Sequence, residues 1–175
     1  VPFPSANLQL AAKGIGFEQL TLLSAYRATA NQPAIAMALS EGFLNFFPES
    51  SGAVHKVPLL LSLDGIPYPS LALEVARIAL GEQNLTIHPA HSAGEKVGLL
   101  GISIGDRFVP TDDLGQMTVN FRGPWKTFPY LSVVDLLETD LPQLRDAVVL
   151  IGTSAAGLLD LQTTPMSRII PGVEI

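Results

Sequence analysis

The chain has 175 residues, of which 47% are hydrophobic and 15% charged, with a mean hydropathy of +0.36 and a formal net charge of −6 at pH 7. That length fits one domain with a proper core, and the apolar balance fits a well-buried sheet or a surface that something else covers. Ten Lys and Arg residues without a basic cluster argue against nucleic acid as a partner, and the absence of cysteine excludes disulfides, Cys-ligated zinc and thiol chemistry.

The longest apolar runs, such as Val57 to Leu61 broken by Pro58, are too short to span a bilayer. No signal-peptide pattern is present. The chain begins at Val1 and stops inside an apolar phrase, Gly172-Val173-Glu174-Ile175, so an excised fragment is expected, with any membrane segment outside it.

Taken in chain order, Ser5 is placed to cap a helix over Ala6 to Lys13, with Gly14 as its stop. Phe17 to Tyr26 is apolar and ambiguous between helix and strand. Asn31, with Pro33 in the first turn, predicts a second helix to Gly42. Phe43 to Phe47 is β-prone, Pro48 to Gly52 carries turn residues, and Ala53 to Leu63 reads as one long apolar strand. Asp64-Gly65 predicts a tight hairpin into Ile66-Pro67-Tyr68. Ser70 then caps a helix over Leu71 to Leu80, with Leu71, Val75 and Ile78 on one stripe and Gly81 past its end.

Leu85 to Ile87 predicts a short strand, and Ala90 to Lys96 a surface loop. Leu99 to Ile104 and Arg107 to Pro110 flank a second hairpin turn at Gly105-Asp106. Met117 to Phe121 alternates like a half-buried strand. A helix starts at Ser132, with Asp135 completing a capping box and Val133, Leu136 and Leu137 as its apolar residues. Pro142 to Asp146 is a loop, and Val148 to Ile151 looks like a buried strand. Hairpins mixed with strand–helix units predict an α/β layered fold with a mixed β-sheet.

The motif that invites chemistry is Gly152 to Gly157, with the glycine spacing of a phosphate loop. Leu158 and Leu159 stand where such a loop needs Lys and Ser/Thr, which disfavours a nucleoside triphosphatase. The backbone amides of the loop can still nest an anion. Ser154 has Gly152 before it but Ala156 after it, and all three histidines precede it, so a hydrolase nucleophile turn is incomplete. The structural reading is that small residues allow a tight turn and close packing.

His88 and His91 read as solvated loop residues, since Pro89 opposes a helix and no third ligand stands nearby. Asp112-Asp113, in a loop before Gly115, could form an acid pair but reads rather as a turn cap. Asn120 and Arg122 would share one strand face away from Val119 and Phe121. That pair suits a binding wall, although a salt bridge from Arg122 to a carboxylate is the commoner use. Trp125, Phe128 and Tyr130 follow, either lining a pocket or packing on the sheet.

Three ordered stretches, Gly42 to Gly81, Val109 to Leu137 and Val148 to Ile175, together resemble the second family of CHASE domains, the cyclase/histidine-kinase-associated sensory extracellular modules. Residues 42–175 carry the resemblance; residues 1–41 are covered poorly. The family pattern has acidic residues around a Pro-x-x-x-Gly turn and an arginine before Val-Pro. Here that turn holds Glu49, Ser50 and Ser51, and His55-Lys56 stands at the basic position. Lys56 keeps the charge without the bidentate fork of arginine.

The resemblance implies a single, N-terminally incomplete sensory domain over 1–175. It implies an extracytoplasmic location in a bacterial membrane receptor, periplasmic or extracellular. Its partners would be its own transmembrane helices, a cytoplasmic output module of the cyclase or kinase class, and an unidentified small-molecule or environmental signal. A homodimer is compatible with the apolar composition. The candidate ligand-binding residues are Asn120, Arg122, Thr153, Ser154 and Asp160. No catalytic set, metal site or cofactor is expected. Two alternatives stay open: a phosphate- or ester-processing enzyme using Gly152 to Gly157, and a dimerising spacer that senses nothing.

Overall fold

Leu8 and Leu10 alternate with Asn7 and Gln9, a period of two compatible with a strand. The computed structural model describes residues 7–29, 39–47, 49–90, 95–138, 141–153 and 161–175. In it Asn7–Leu10 is a strand, β1, with the two leucines half-buried and the two polar residues exposed. The helix expected over Ala6 to Lys13 is therefore corrected to a strand. Pairing with a sheet edge supplies what local propensity does not. Gly14 marks a turn, at φ +82°. The helix expected from Asn31 to Gly42 lies outside the described residues, apart from 39–42.

The ambiguous stretch after Gly16 opens with one 3-10 turn, Phe17–Gln19, and contains a short strand, β2, at Ser24–Ala25. The β-prone residues 43–47 form no strand, and only an isolated bridge joins Phe43 to Ser70. The long strand expected over Ala53 to Leu63 is divided into β3 (Lys56–Pro58) and β4 (Leu60–Leu63). Pro58 has no N–H to donate. At Leu59 the backbone changes partner, donating to Gly115 O and accepting from Ser70 N, both at 2.9 Å.

β4 turns through Asp64 (φ 51°) and Gly65 (φ 80°) into β5 (Ile66–Pro69), with Leu63 opposite Ile66. Two consecutive left-handed residues suit a two-residue hairpin, as the Asp-Gly pair predicts. Helix α1 runs from Leu71–Ala79, capped by Ser70, whose Oγ accepts from Leu73 N at 3.2 Å. Gly81 beyond its end has φ 73°.

The buried face of α1 differs from the expected stripe. Leu73 and Glu74 are buried and Ala76 packs on the core, whereas Ile78 is 41% exposed. The inward face carries a carboxylate because that carboxylate has partners. Arg77 Nη2 donates to Glu74 Oε2 at 2.9 Å and Nε to Oε1 at 3.1 Å, and the Ser40 hydroxyl donates to Oε2. Pattern reading assigns charged residues to solvent, so it turned the helix the wrong way.

Strands β6 (Asn84–Pro89), β7 (Leu99–Ile104), β8 (Arg107–Pro110) and β9 (Gln116–Thr118) follow. Gly105, at φ 56°, makes the β7–β8 turn where expected. One sheet has the order β1-β6-β7-β8, a second β2-β4-β5, and β3 pairs with β9. β1–β6 and β2–β4 are parallel; the other pairings among these strands are antiparallel. The fold is thus the expected strand-rich mixed α/β arrangement, built from several sheets. Leu60, Leu85, Ile87, Leu99 and Ile102 lie at its core.

The chain divides into two compact units, Val1–Phe46 with Lys56–Thr118, and Phe47–His55 with Val119–Ile175. That core belongs wholly to the first. In the second, Val54 is fully buried and donates its N–H to Thr163 O, while Val119 N donates to His55 O, both at 2.9 Å. β10 (Leu161–Gln162) pairs antiparallel with β11 (Ile170–Pro171), and both residues of β11 are buried. Helix α2 covers Val133–Glu138, with Ser132 Oγ accepting from Val134 N at 3.3 Å.

The buried strand expected at Val148 to Ile151 is corrected as well. These residues are exposed, Val149 at 48% and Ile151 at 86%, and belong to no strand. An apolar run reports an apolar surface; a strand also needs a partner edge, and among the described residues none pairs here.

Candidate functional site

After β9 the backbone of the second unit leaves its ladder, and no strand is formed over 119–123. The alternation nevertheless persists: Val119 and Phe121 are half-buried while Asn120 and Arg122 are exposed. Five successive residues, Val119 to Gly123, line a cavity of about 260 Å³ together with Thr127, Phe128, Ile170, Glu174 and Ile175. Gly123 permits the tight return of the chain, since a Cβ there would lie 2.4 Å from Thr127 Oγ1. That hydroxyl and the Thr127 amide both donate to Pro124 O, at 2.6 and 3.1 Å.

Arg122 makes no ion pair among the described residues. Among the described residues its guanidinium therefore stands unpaired at the cavity wall. The opposite charge in the lining is Glu174, which sequence reasoning missed. Its Oε1 accepts from the Lys126 amide at 3.1 Å and from the Tyr130 hydroxyl. Tyr130 in turn accepts from Trp125 Nε1 at 3.2 Å. Burial and the Glu174 carboxylate raise the Tyr130 pKa above its ordinary value, against the lowering effect of the Trp125 donor. Lys126, held at φ 67°, places its Nζ 5.2 Å from the centre of the Trp125 ring. Trp125 N donates to Ser167 Oγ at 3.2 Å. Of the three aromatic residues, Phe128 lines the cavity and the other two brace Glu174.

Asn120 and Arg122 are therefore brought together in one cavity. Thr153 is exposed and is not among the lining residues. Ser154 and Asp160 lie outside the described residues, as does the loop from 154 to 157. Gly152 is described, and a Cβ on it would lie 2.5 Å from Val173 Cβ. At this position the small residue serves close packing, the structural reading of the loop's first glycine.

His88, expected in a solvated loop, stands on β6. It shares a hydrogen bond of 2.8 Å with Ser103 Oγ and packs edge-on to Phe108 at 5.3 Å. His91 lies outside the described residues. Among the described residues no group of three His, Asp or Glu side chains is placed to hold a metal ion. Asp112 is the turn cap expected of it. Its Oδ1 accepts from Leu114 N at 3.1 Å and Gln116 N at 2.9 Å, and Lys56 Nζ donates to Oδ2 at 3.0 Å. Burial opposes its ionised form, but the Gln116 amide, Lys56 and the Leu114 amide prevail and hold its pKa below the usual value. Glu49 and His55 stand at ion-pair distance, 3.3 Å. The first unit has an open depression of its own, about 460 Å³, lined by Asn7, Gln9, Phe17, Ile66 and Asn84 among others. It carries no charged side chain.

The sequence profile of the CHASE2 domain matches residues 6–175, and the chain belongs to the CHASE2 family. The match reaches well before residue 42, where the recognisable phrases begin. CHASE2 domains are extracellular sensory domains found in signalling receptors. No curated protein and no solved structure matches the chain. Among the described residues no helix is long and apolar enough to cross a membrane.

Proposed function

We propose that this chain is the extracytoplasmic ligand-binding domain of a transmembrane receptor. In this reading the cavity at Asn120 and Arg122 receives the stimulus, and a cytoplasmic output module of the cyclase or kinase class reads it. The observation that carries the reading is Arg122, a guanidinium without an ion-pair partner among the described residues, set beside Asn120 in a cavity of a sensory-family domain. A planar guanidinium fork beside an amide at a cavity wall suits a ligand that carries a carboxylate. Signalling requires that the ligand bind one geometry of the receptor better than another, because equal affinity shifts no equilibrium.

A thermal-shift screen on the wild-type chain and on Asn120→Ala and Arg122→Ala tests the cavity. The expected result is a dose-dependent rise in Tm that both substitutions weaken. A ligand whose shift ignores both substitutions places the binding elsewhere. A full-length protein carrying no membrane span on either flank of this domain overturns the receptor reading.

A further inference from the structure

The cavity lining holds one cationic and one anionic side chain, Arg122 and Glu174, and the two do not pair with each other. Two opposite charges sharing a small cavity normally collapse into an ion pair unless geometry keeps them apart. Here geometry does. Glu174 is held from behind through Oε1 by the Lys126 amide and the Tyr130 hydroxyl, so its position is fixed independently of Arg122. Its second oxygen, Oε2, has no partner among the described residues. Arg122 presents a planar fork suited to a carboxylate, and Asn120 beside it adds an amide that can donate to the same group. The same lining includes the apolar side chains Phe121, Phe128 and Ile170.

We propose that this cavity takes a small zwitterion, a free α-amino acid or a close analogue. Its carboxylate lies on Arg122 and Asn120, its ammonium on Glu174 Oε2, and its side chain against Phe121, Phe128 and Ile170. The assignment rests on the cavity being the stimulus site, as proposed above. Charge balance selects the class. A dianion such as inorganic phosphate would gain Arg122 but face the Glu174 carboxylate. A simple amine would gain Glu174 but face Arg122. A zwitterion gives both side chains an opposite charge, whereas either alternative sets a like charge against one of them. Size agrees, because about 260 Å³ lies below the range of roughly 300–1,000 Å³ that holds drug-sized ligands.

The test is calorimetric titration of the chain with each proteinogenic L-amino acid at up to about 1 mM. It is repeated on Arg122→Gln and on Glu174→Gln. The glutamine at 174 keeps an acceptor for Tyr130 and Lys126, so it removes charge without removing the brace, and circular dichroism confirms that both variants remain folded. The expected result is that at least one amino acid binds and that each substitution weakens it about tenfold or more. The matching carboxylic acid without its amine should bind the wild type more weakly and lose its dependence on Glu174 while keeping that on Arg122. Failure of every amino acid to bind overturns the zwitterion. If a plain carboxylate then binds with Arg122 dependence, the cavity remains the stimulus site and only the ligand class is wrong. An amino acid that binds regardless of both substitutions overturns the ligand assignment and the site together.

Discussion

Replacing Arg77 by methionine removes the guanidinium facing Glu74 and keeps much of the stem's volume. The carboxylate it leaves is deeply placed: the Glu74 side chain is 1% exposed and that of Arg77 only 12%. Three contacts at 2.9 to 3.3 Å tie the two together, and Arg77 Nη1 also donates to Glu82 O at 2.6 Å beyond the end of α1. Removing one partner of a buried pair costs about 3–5 kcal/mol, because the other charge remains uncompensated. The Ser40 hydroxyl still donates to Glu74 in the variant, which places the loss at the lower end, about 3 kcal/mol. For a chain of this size that corresponds to a fall in Tm of roughly 6–12 °C. Thermal and urea unfolding followed by circular dichroism at pH 7 measure it. Adding Glu74→Gln to Arg77→Met should recover part of the loss, since no buried charge is left. A single variant within about 0.5 kcal/mol of wild type, or a double variant no better than the single, would show that the pair does not organise this face of α1.

The Lys56–Asp112 pair is more exposed, at 43% and 30% of the side chains, so Asp112→Asn should cost only about 0.5–1 kcal/mol at neutral pH. Because the folded-state pKa of Asp112 is lowered, its contribution is complete above the unfolded carboxylate range, about 4, and is lost as pH falls through the folded value. The gap between wild type and Asp112→Asn should therefore be constant from neutral pH to about 5 and close below about 4; a gap that widens with acid contradicts the assignment. Gly152→Ala should destabilise by about 1–3 kcal/mol, since its Cβ would lie 2.5 Å from Val173 Cβ. Val173→Ala should relieve part of that cost, and an unchanged Tm in Gly152→Ala would remove the packing explanation of this glycine.

Local chemistry was legible at several turns and caps, though not at Ser5, whose expected helix is a strand. Asp64-Gly65, Gly105, Ser70 and Gly81 all stand where their residue types place them. What depends on a distant partner was not. Asn7–Leu10 is a strand because Leu8 and Leu10 fall opposite Leu85 and Ile87, more than seventy residues away. Leu59 breaks an apolar run because Gly115 and Ser70 claim its backbone. Alternation puts Asn120 and Arg122 on a face apart from Val119 and Phe121, yet all four line the cavity, because the segment forms no strand. Glu174 could not be read from the chain, because nothing near it in the sequence announces Lys126 or Tyr130 as its donors. The apolar Val148 to Ile151 run misled for the converse reason: composition reports what a segment would gain by burial, not whether an edge exists to bury it.

The two units differ in how they are held, and that difference bears on the proposed sensing. In the first, nine buried leucine and isoleucine side chains form one cluster. In the second, the described buried residues are few, Val54, Thr164, Ile170 and Pro171, and the cavity lining is held by exposed hydrogen bonds such as those to Glu174 and from Thr127 to Pro124. Elements with few buried apolar contacts lie at the low end of local stability, where ligand sites that must rearrange are found. A ligand bridging Arg122 and Glu174 would tie the strand-free segment after Val119 to the segment following β11, two lengths of chain about fifty residues apart that otherwise meet through few bonds. Its affinity would then depend on the spacing of those two segments, so that a geometry altering that spacing would bind it differently. That difference is the one property a sensory domain must have and a rigid spacer need not.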